Sequence, residues 1–260
     1  MKDQKRLILI LGDQLDLQGA ALRDFNPQRD EVIMIESANE AQYVWTHKAK
    51  IALFLSAMRH FAHSLEKLHY PLTYIKESPL SIVEAVRAQL LEKKISCLVC
   101  VEPGEWRLKQ AIDALATDLS LELEMREDDH FFCTHQEFLD WVADKKELRL
   151  EYFYRLMRKK YGILIAEDGN PEGGQWNFDQ DNRKAYPKNG PGMIDAPVEF
   201  APDAITQEVL SYVGTTYKDH PGSLEQFFWP VTREQALEAL HYFAEYRLRN
   251  FGVFQDAMWT

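Results

Sequence analysis

The chain has 260 residues, 46% of them hydrophobic and 27% charged, enough for one large domain or two small ones around a substantial core. A formal net charge of −11 opposes general attraction to nucleic acid, so any such contact needs a local basic face. The odd count of 3 cysteines, the lack of a signal-peptide pattern and the lack of any apolar run near the ~20 residues that span a bilayer exclude a disulfide scaffold and a membrane span, and predict a soluble, cytoplasmic protein.

The first predicted strand, LILIL (7–11), is apolar at every position and halts abruptly at Gly12, Asp13 and Gln14. The second, VIMIE (32–36), carries Ile35 and Glu36 at its end and runs on through Ser37 to Glu40. Val44, Ile51, Leu55, Met58, Ala62 and Leu65 recur at helical steps and predict a helix over 41–69, with Asn39 and Gln42 placed as a capping pair and Pro71 just beyond its end. LTYIK (72–76) reads as the third strand, followed by a helix with Ser78 and Pro79 at its N-cap and first position. The fourth, CLVCV (97–101), leads through Glu102, Pro103, Gly104, Glu105 and Trp106 into a helix marked by Leu108, Ile112, Leu115 and Leu119. LELEM (121–125) is the fifth.

Strands separated by helices imply parallel pairing through right-handed crossovers. The fold class is therefore α/β, a doubly wound five-stranded parallel sheet. The all-apolar strands suit the centre and the mixed ones, LTYIK and LELEM, the edges, which gives the order 3-2-1-4-5. Cys97 and Cys100, three apart in a strand, point to opposite faces and read as core cysteines in preference to a redox pair, which normally opens a helix.

Beyond residue 130 the strand signal fades, and helices are predicted at 134–143, 151–161, 204–213 and 233–251. A glycine-, proline- and asparagine-rich stretch over 167–197 is too long for a simple connector and reads as an interdomain excursion. Thr232 and Gln235 form a capping box for the last helix and Gly252 a natural stop. Its stripe of Leu237, Leu240, Ala244, Leu248 and Phe251 must either pack back onto the sheet domain or meet a partner surface, self-association being the expectation.

In open α/β sheets ligands bind beyond the carboxyl ends of the strands where the strand order reverses. Here that rim holds Asp13, Gln14, Glu36, Glu40, Glu102 and Glu105, with Tyr43 and Trp106 as stacking surfaces. Neither G-x-G-x-x-G nor a P-loop occurs, and the carboxylates would repel phosphate, so a neutral heterocycle rich in hydroxyl or N–H donors fits better. Any one of these acids could instead cap a helix; the set, with an aromatic among them, favours a ligand site. The 8 histidines lack metal-site spacing and no G-x-S-x-G elbow appears, so no metal or nucleophile is predicted and the histidines read as surface or packing residues. In EYFYRLMRKKYG (151–162), Arg155, Arg158, Lys159 and Lys160 beside aromatic residues could track a phosphate backbone, but a solvated basic helix face is the plainer reading. The same question attaches to Trp176, Arg183, Lys184 and Lys188.

The runs LILGDQL, EAQYVWTHKAKI, LFLSAMRHFA, VEPGEWR, EYFYRLMRKK, GGQWNFDQDNRK, FAPDAIT and NFGVFQDAM occur in order along almost the whole chain. In these runs the sequence resembles the prokaryotic iron–sulfur (6-4) photolyase and cryptochrome family, the deoxyribodipyrimidine photolyase-related proteins. The resemblance implies an α/β antenna domain at 1–130, helices and a long interdomain loop at 131–203, and the first helices of a helical FAD domain at 204–260. It implies the antenna pigment 6,7-dimethyl-8-ribityllumazine, lined by Gly12, Asp13, Gln14, Ile35, Glu36, Glu40, Tyr43 and, less directly, Glu102 and Trp106. FAD, a 4Fe–4S cluster held by four cysteines, and ultraviolet-damaged DNA as partner are implied for full-length members, which run to roughly twice this length. The cysteines present do not match the cluster ligands, so the chain is expected to correspond to the N-terminal part of a light-dependent repair or blue-light signalling protein and not to be catalytic by itself. The alternative is a stand-alone small-molecule-binding or interaction protein of the same fold.

Overall fold

A computed structural model describes residues 4–192, 195–254 and 256–258. The all-apolar run at the start of the chain forms the central strand β1 (Arg6–Leu9), flanked by β2 (Asp30–Ser37) and β4 (Cys97–Val101). The mixed strands β3 (Leu72–Ser78) and β5 (Glu122–Arg126) lie at the edges. All pairings are parallel, in the order 3-2-1-4-5, as predicted. Alternate residues of each central strand feed two separate cores. Leu7, Leu9, Ile33, Leu98 and Cys100 pack beneath the crossover helices α3 (Ile82–Lys93) and α4 (Trp106–Leu119). Ile8, Ile10, Val32, Met34, Cys97 and Val99 pack on the other face, beneath α2 (Lys48–Lys67) and a short turn of helix at Ala20–Leu22. Cys97 and Cys100 thus belong to opposite faces, as their spacing requires.

The predicted helix over 41–69 is two helices. A short α1 (Ala38–Tyr43) ends at Val44, whose backbone is extended, and α2 begins after His47. Asn39 and Gln42 lie inside α1 and cap nothing; the cap of α2 is the imidazole of His47, whose Nδ1 accepts from the Ala49 N–H at 3.1 Å. The start of α3 also differs from expectation. β3 extends through Ser78, and the cap is Ser81, which exchanges hydrogen bonds with Glu84 in a capping box.

Residues up to His130 together with Glu199–Ala236 make one compact unit, and Phe131–Val198 with the residues from Leu237 onward make another. In the first unit α7 (Ala204–Thr216) and the segment that follows cover the outer side of α2. Val209, Val213, Tyr217, Phe227 and Val231 bury Ala49, Ile51 and Ala52. In the second unit α5 (His135–Val142) starts on a Thr134–Glu137 capping box, and α6 (Leu150–Tyr161) ends on Gly162 in the left-handed conformation.

The last helical run consists of α8 (Arg233–Tyr242), a wider turn at Phe243–Arg247 and α9 (Leu248–Phe254). Thr232 and Gln235 cap it as predicted: Gln235 N–H donates to Thr232 Oγ1 at 3.2 Å and Gln235 Oε1 accepts from Thr232 N–H at 3.3 Å. Gly252 does not stop the run, which continues to Phe254. Met193 and Ile194 of the long excursion lie outside the described residues. Among the described residues no helix is long and apolar enough to cross a membrane.

Candidate functional site

The ends of β1 and β2, the first half of α2 and the β4–α4 loop enclose a cleft of about 300 Å³. One wall is apolar, with Ile51, Phe54, Leu55 and Met58 of α2 facing Ile35, Ile82 and Leu108. Polar groups stand at its margins: Asp13, Ser37, Glu40, Thr46, Lys50 and Glu105. Gly12 lies where α2 comes closest to the strand end. A Cβ there would stand 3.0 Å from Met58 Sδ and 3.4 Å from Phe54 Cδ1, so a side chain would push the wall outward.

Four of the nine residues singled out from the sequence line this cleft: Gly12, Asp13, Ile35 and Glu40. The other five do other work. Gln14 is buried, and its amide donates to the Glu102 carbonyl at 3.2 Å, tying the ends of β1 and β4 together. Tyr43 is exposed with the Arg107 guanidinium 4.2 Å from its ring centre. Trp106 is exposed at the start of α4, and the Glu102 carboxylate pairs with Lys109, whose ammonium it holds in the charged form.

Glu36 is an interior residue. It continues the Val32–Met34 side of β2, which faces α2, at a register shift between Ile35 and Ser37. There the Arg59 guanidinium grips it at 2.8 and 3.0 Å, Tyr74 Oη donates at 2.5 Å and the Glu77 N–H at 3.2 Å. Arg59 also donates to Glu208 of α7 at 2.7 Å. Burial and the neighbouring Glu36 carboxylate push the Tyr74 phenol well above its ordinary pKa, so it stays a donor.

Pairing changes the electrostatic argument. Glu36 is paired with Arg59 and Glu102 with Lys109, while Arg107 is shared between Glu40 and Glu105, at 2.6 and 2.8 Å, and offsets one of their two charges. The rim is far less negative than its count of acids suggests. No described side chain pairs with Asp13, which is exposed at the cleft mouth as a free acceptor. The cleft therefore combines a dry aromatic and aliphatic wall with a carboxylate, a serine and a threonine hydroxyl, and one lysine. That is the chemistry to hold a flat heterocycle and orient its polar edge. Sequence reasoning missed Ser37 at the end of β2, Phe54 on α2 and Ile82 at the start of α3, because nothing in the spacing of such residues marks a wall left open.

Other candidates weaken on inspection. Asp128, Asp129 and His130 come within metal-binding reach of one another. Asp129 is already taken by the Ala20 N–H at 3.2 Å and Arg23 at 2.9 Å, and His130 by Asp128 at 2.8 Å. On α6, Arg155 pairs with Glu151 and Lys160 with Glu137, while the buried Arg158 donates to the Ile163 and Leu164 carbonyls. The cations of that helix mostly hold its own unit together. Arg155, Arg158 and Lys159 all approach the Trp176 ring, at 5.3–5.4 Å. His47, His60 and His220 have packing roles, His60 beside Asp203 and Thr206, His220 against the Thr46 carbonyl.

Comparison with known proteins bears on the whole chain. Residues 8–229 match the family model described as deoxyribodipyrimidine photo-lyase-related protein. Over 257 residues the sequence is 40% identical to a protein of Agrobacterium fabrum named (6-4) photolyase, covering 97% of this chain and 50% of the relative. The chain spans about half the length of this curated relative. Sequence and fold agree, and the chain belongs to the family of deoxyribodipyrimidine photo-lyase-related proteins.

Proposed function

We propose that this chain is the light-harvesting half of a photolyase-related protein of light-dependent DNA repair or blue-light signalling, and that its cleft takes the antenna pigment 6,7-dimethyl-8-ribityllumazine. The observation that carries this reading is the cleft at the strand ends, with Phe54 and Met58 on one side and the free carboxylate of Asp13 at its mouth. A lumazine is a flat, uncharged ring system, matched by the apolar wall, and its ribityl hydroxyls are donors that Asp13, Ser37 and Thr46 can accept. The pigment's own contribution is absorption of near-ultraviolet and blue light. The chain's contribution is to hold the ring rigid and dry.

FAD, a four-cysteine iron–sulfur cluster and ultraviolet-damaged DNA belong, in this reading, to a full-length relative. Cys97 and Cys100 are buried in different cores and Cys133 stands elsewhere, so the thiols here cannot converge on one cluster. No repair step is assigned to these residues.

Titration of the purified chain with the lumazine, followed by fluorescence anisotropy, tests the reading. Saturable binding is expected, weakened about 10- to 100-fold by Asp13→Ala, the typical loss for one hydrogen bond to a charged group. Wild-type protein that fails to bind, or binding indifferent to Asp13→Ala, would favour a stand-alone binding protein with another ligand.

Self-association is a second part of the proposal. Leu237, Leu240, Leu248 and Phe251 stand exposed along the final helical run, and covering apolar surface yields about 25 cal/mol per Å². Sedimentation velocity is expected to show concentration-dependent dimers that Leu240→Glu abolishes; a monomer at every concentration would exclude this contact.

A further inference from the structure

Arg107, on the first turn of α4, faces both lips of the cleft. Its guanidinium reaches Glu40 of α1 at 2.6 and 3.3 Å and Glu105 at 2.8 and 3.0 Å, and its centre lies 4.2 Å from that of the Tyr43 ring. Apart from Ala41, which packs against the cluster between α2 and α7, little else holds α1. It has six residues, none of them buried, and the hydroxyl of its N-cap Ser37 donates away from the helix, to the Leu80 carbonyl at 2.9 Å. A helix that short does not maintain itself. Its base is firmly anchored, however. His220 Nδ1 is 2.8 Å from the Thr46 carbonyl, and Lys48 N–H donates to the Pro221 carbonyl at 2.9 Å. Between tip and base run Val44, on extended backbone, and Trp45, both exposed.

A segment that leaves β2 at Ser37, is fixed again at Thr46–Lys48, is tied between those points by one cation and lines the cleft with Glu40, Ala41 and Thr46 has the arrangement of a lid. We infer that Arg107 is a positioning residue that latches α1 over the cleft and so sets how fast a neutral planar heterocycle enters and leaves. The inference rests on the cleft's being a ligand site, but the latch is defined by contacts made without a ligand. The ion pairs are partly exposed, so salt loosens the latch. Opening also separates Tyr43 from its cation.

Hydrogen exchange on the unliganded chain, read by mass spectrometry, tests the latch directly. Arg107→Ala is expected to speed exchange at residues 39–43 about tenfold, the summed effect of exposed ion pairs and a cation–π contact. Exchange in the body of α2 should be unchanged, which guards against a merely misfolded variant. The charge-swapped double variant Glu40→Arg/Arg107→Glu should restore most of the lost protection. Equal exchange at 39–43 in wild type and Arg107→Ala, or a swap that restores nothing, would overturn the latch.

Stopped-flow mixing with 6,7-dimethyl-8-ribityllumazine adds the kinetic half. Association and dissociation should both quicken in Arg107→Ala, with Kd moving no more than about twofold. A Kd that rises with an unchanged association rate would make Arg107 an ordinary ligand contact and refute its role as a latch. Absence of lumazine binding would remove the pigment reading and leave the exchange result to decide the latch.

Discussion

Removing the Arg59 guanidinium would leave Glu36 ionised and buried, held only by a phenol and one backbone N–H. Breaking a buried pair on one side costs about 3–5 kcal/mol, whereas replacing both partners by uncharged residues of similar size is often close to neutral. Arg59→Ala should therefore be far less stable in urea denaturation than Glu36→Gln/Arg59→Met, and the reverse order would show that the pair is not the clamp it resembles. Thiol reactivity makes a second prediction at this scale. Burial raises all three thiols, Cys100 up to about 12, but Cys97 and Cys100 are also shut inside the cores, so at neutral pH only Cys133 should be alkylated in the folded chain, and all three in denaturant. Labelling of Cys97 or Cys100 in the native protein would mean that the sheet opens. The core identity of these cysteines was legible from the strand period. That of Glu36 was not, because its partner Arg59 lies 23 residues along the chain and leaves no local signature.

At the scale of elements, one ion network joins β1, β5 and the turn between β1 and β2. Burial works against charge on Asp24, but hydrogen bonds from Arg6 and Arg126 prevail and draw its carboxyl from an ordinary 3.8 down to about 2. A folded-state pKa below the unfolded one adds stability that is present above about pH 4 and is lost as the pH falls toward 2. Asp24→Asn should flatten that part of the acid-denaturation curve. A variant with the wild-type acid limb would show that the pair is too well screened to matter. Five strands, their order and most helices were legible in the sequence, because apolar runs and 3.6-residue stripes are set by burial. The break between α1 and α2 was not, although Val44 and Thr46 are β-branched. Their neighbours continue the helical stripe, and the cap is a histidine, a residue that rarely signals a helix start. That unseen break is what creates the lid.

For the whole molecule, both units are discontinuous in sequence: residues 199–236 return to the first unit between the two segments of the second. A fragment ending at residue 130 would keep all five strands but uncover Ala49, Ile51 and Ala52 on α2, and Arg59 would lose Glu208. Such a fragment is expected to bind a hydrophobic dye and aggregate where the full chain does not; a soluble, dye-negative fragment would mean that α7 is dispensable. Composition overstated the charge of the strand-end rim, since pairing with Arg59, Arg107 and Lys109 depends on helices whose faces the sequence alone does not orient.

Met58 carries one more consequence. Its thioether forms part of the cleft wall, with the sulfur standing 3.0 Å from where a Cβ on Gly12 would be. In the proposed pigment-bound state, a light-absorbing ring beside this thioether in air would be a source of oxidative damage to its own container. Conversion to the sulfoxide would add a polar oxygen to a wall with no space for it. Prolonged illumination of the pigment-loaded chain should therefore add oxygen at Met58, detectable by peptide mass spectrometry, and bleaching should become irreversible as that product accumulates. Met58→Leu, similar in volume and inert to oxidation, should hold its pigment longer.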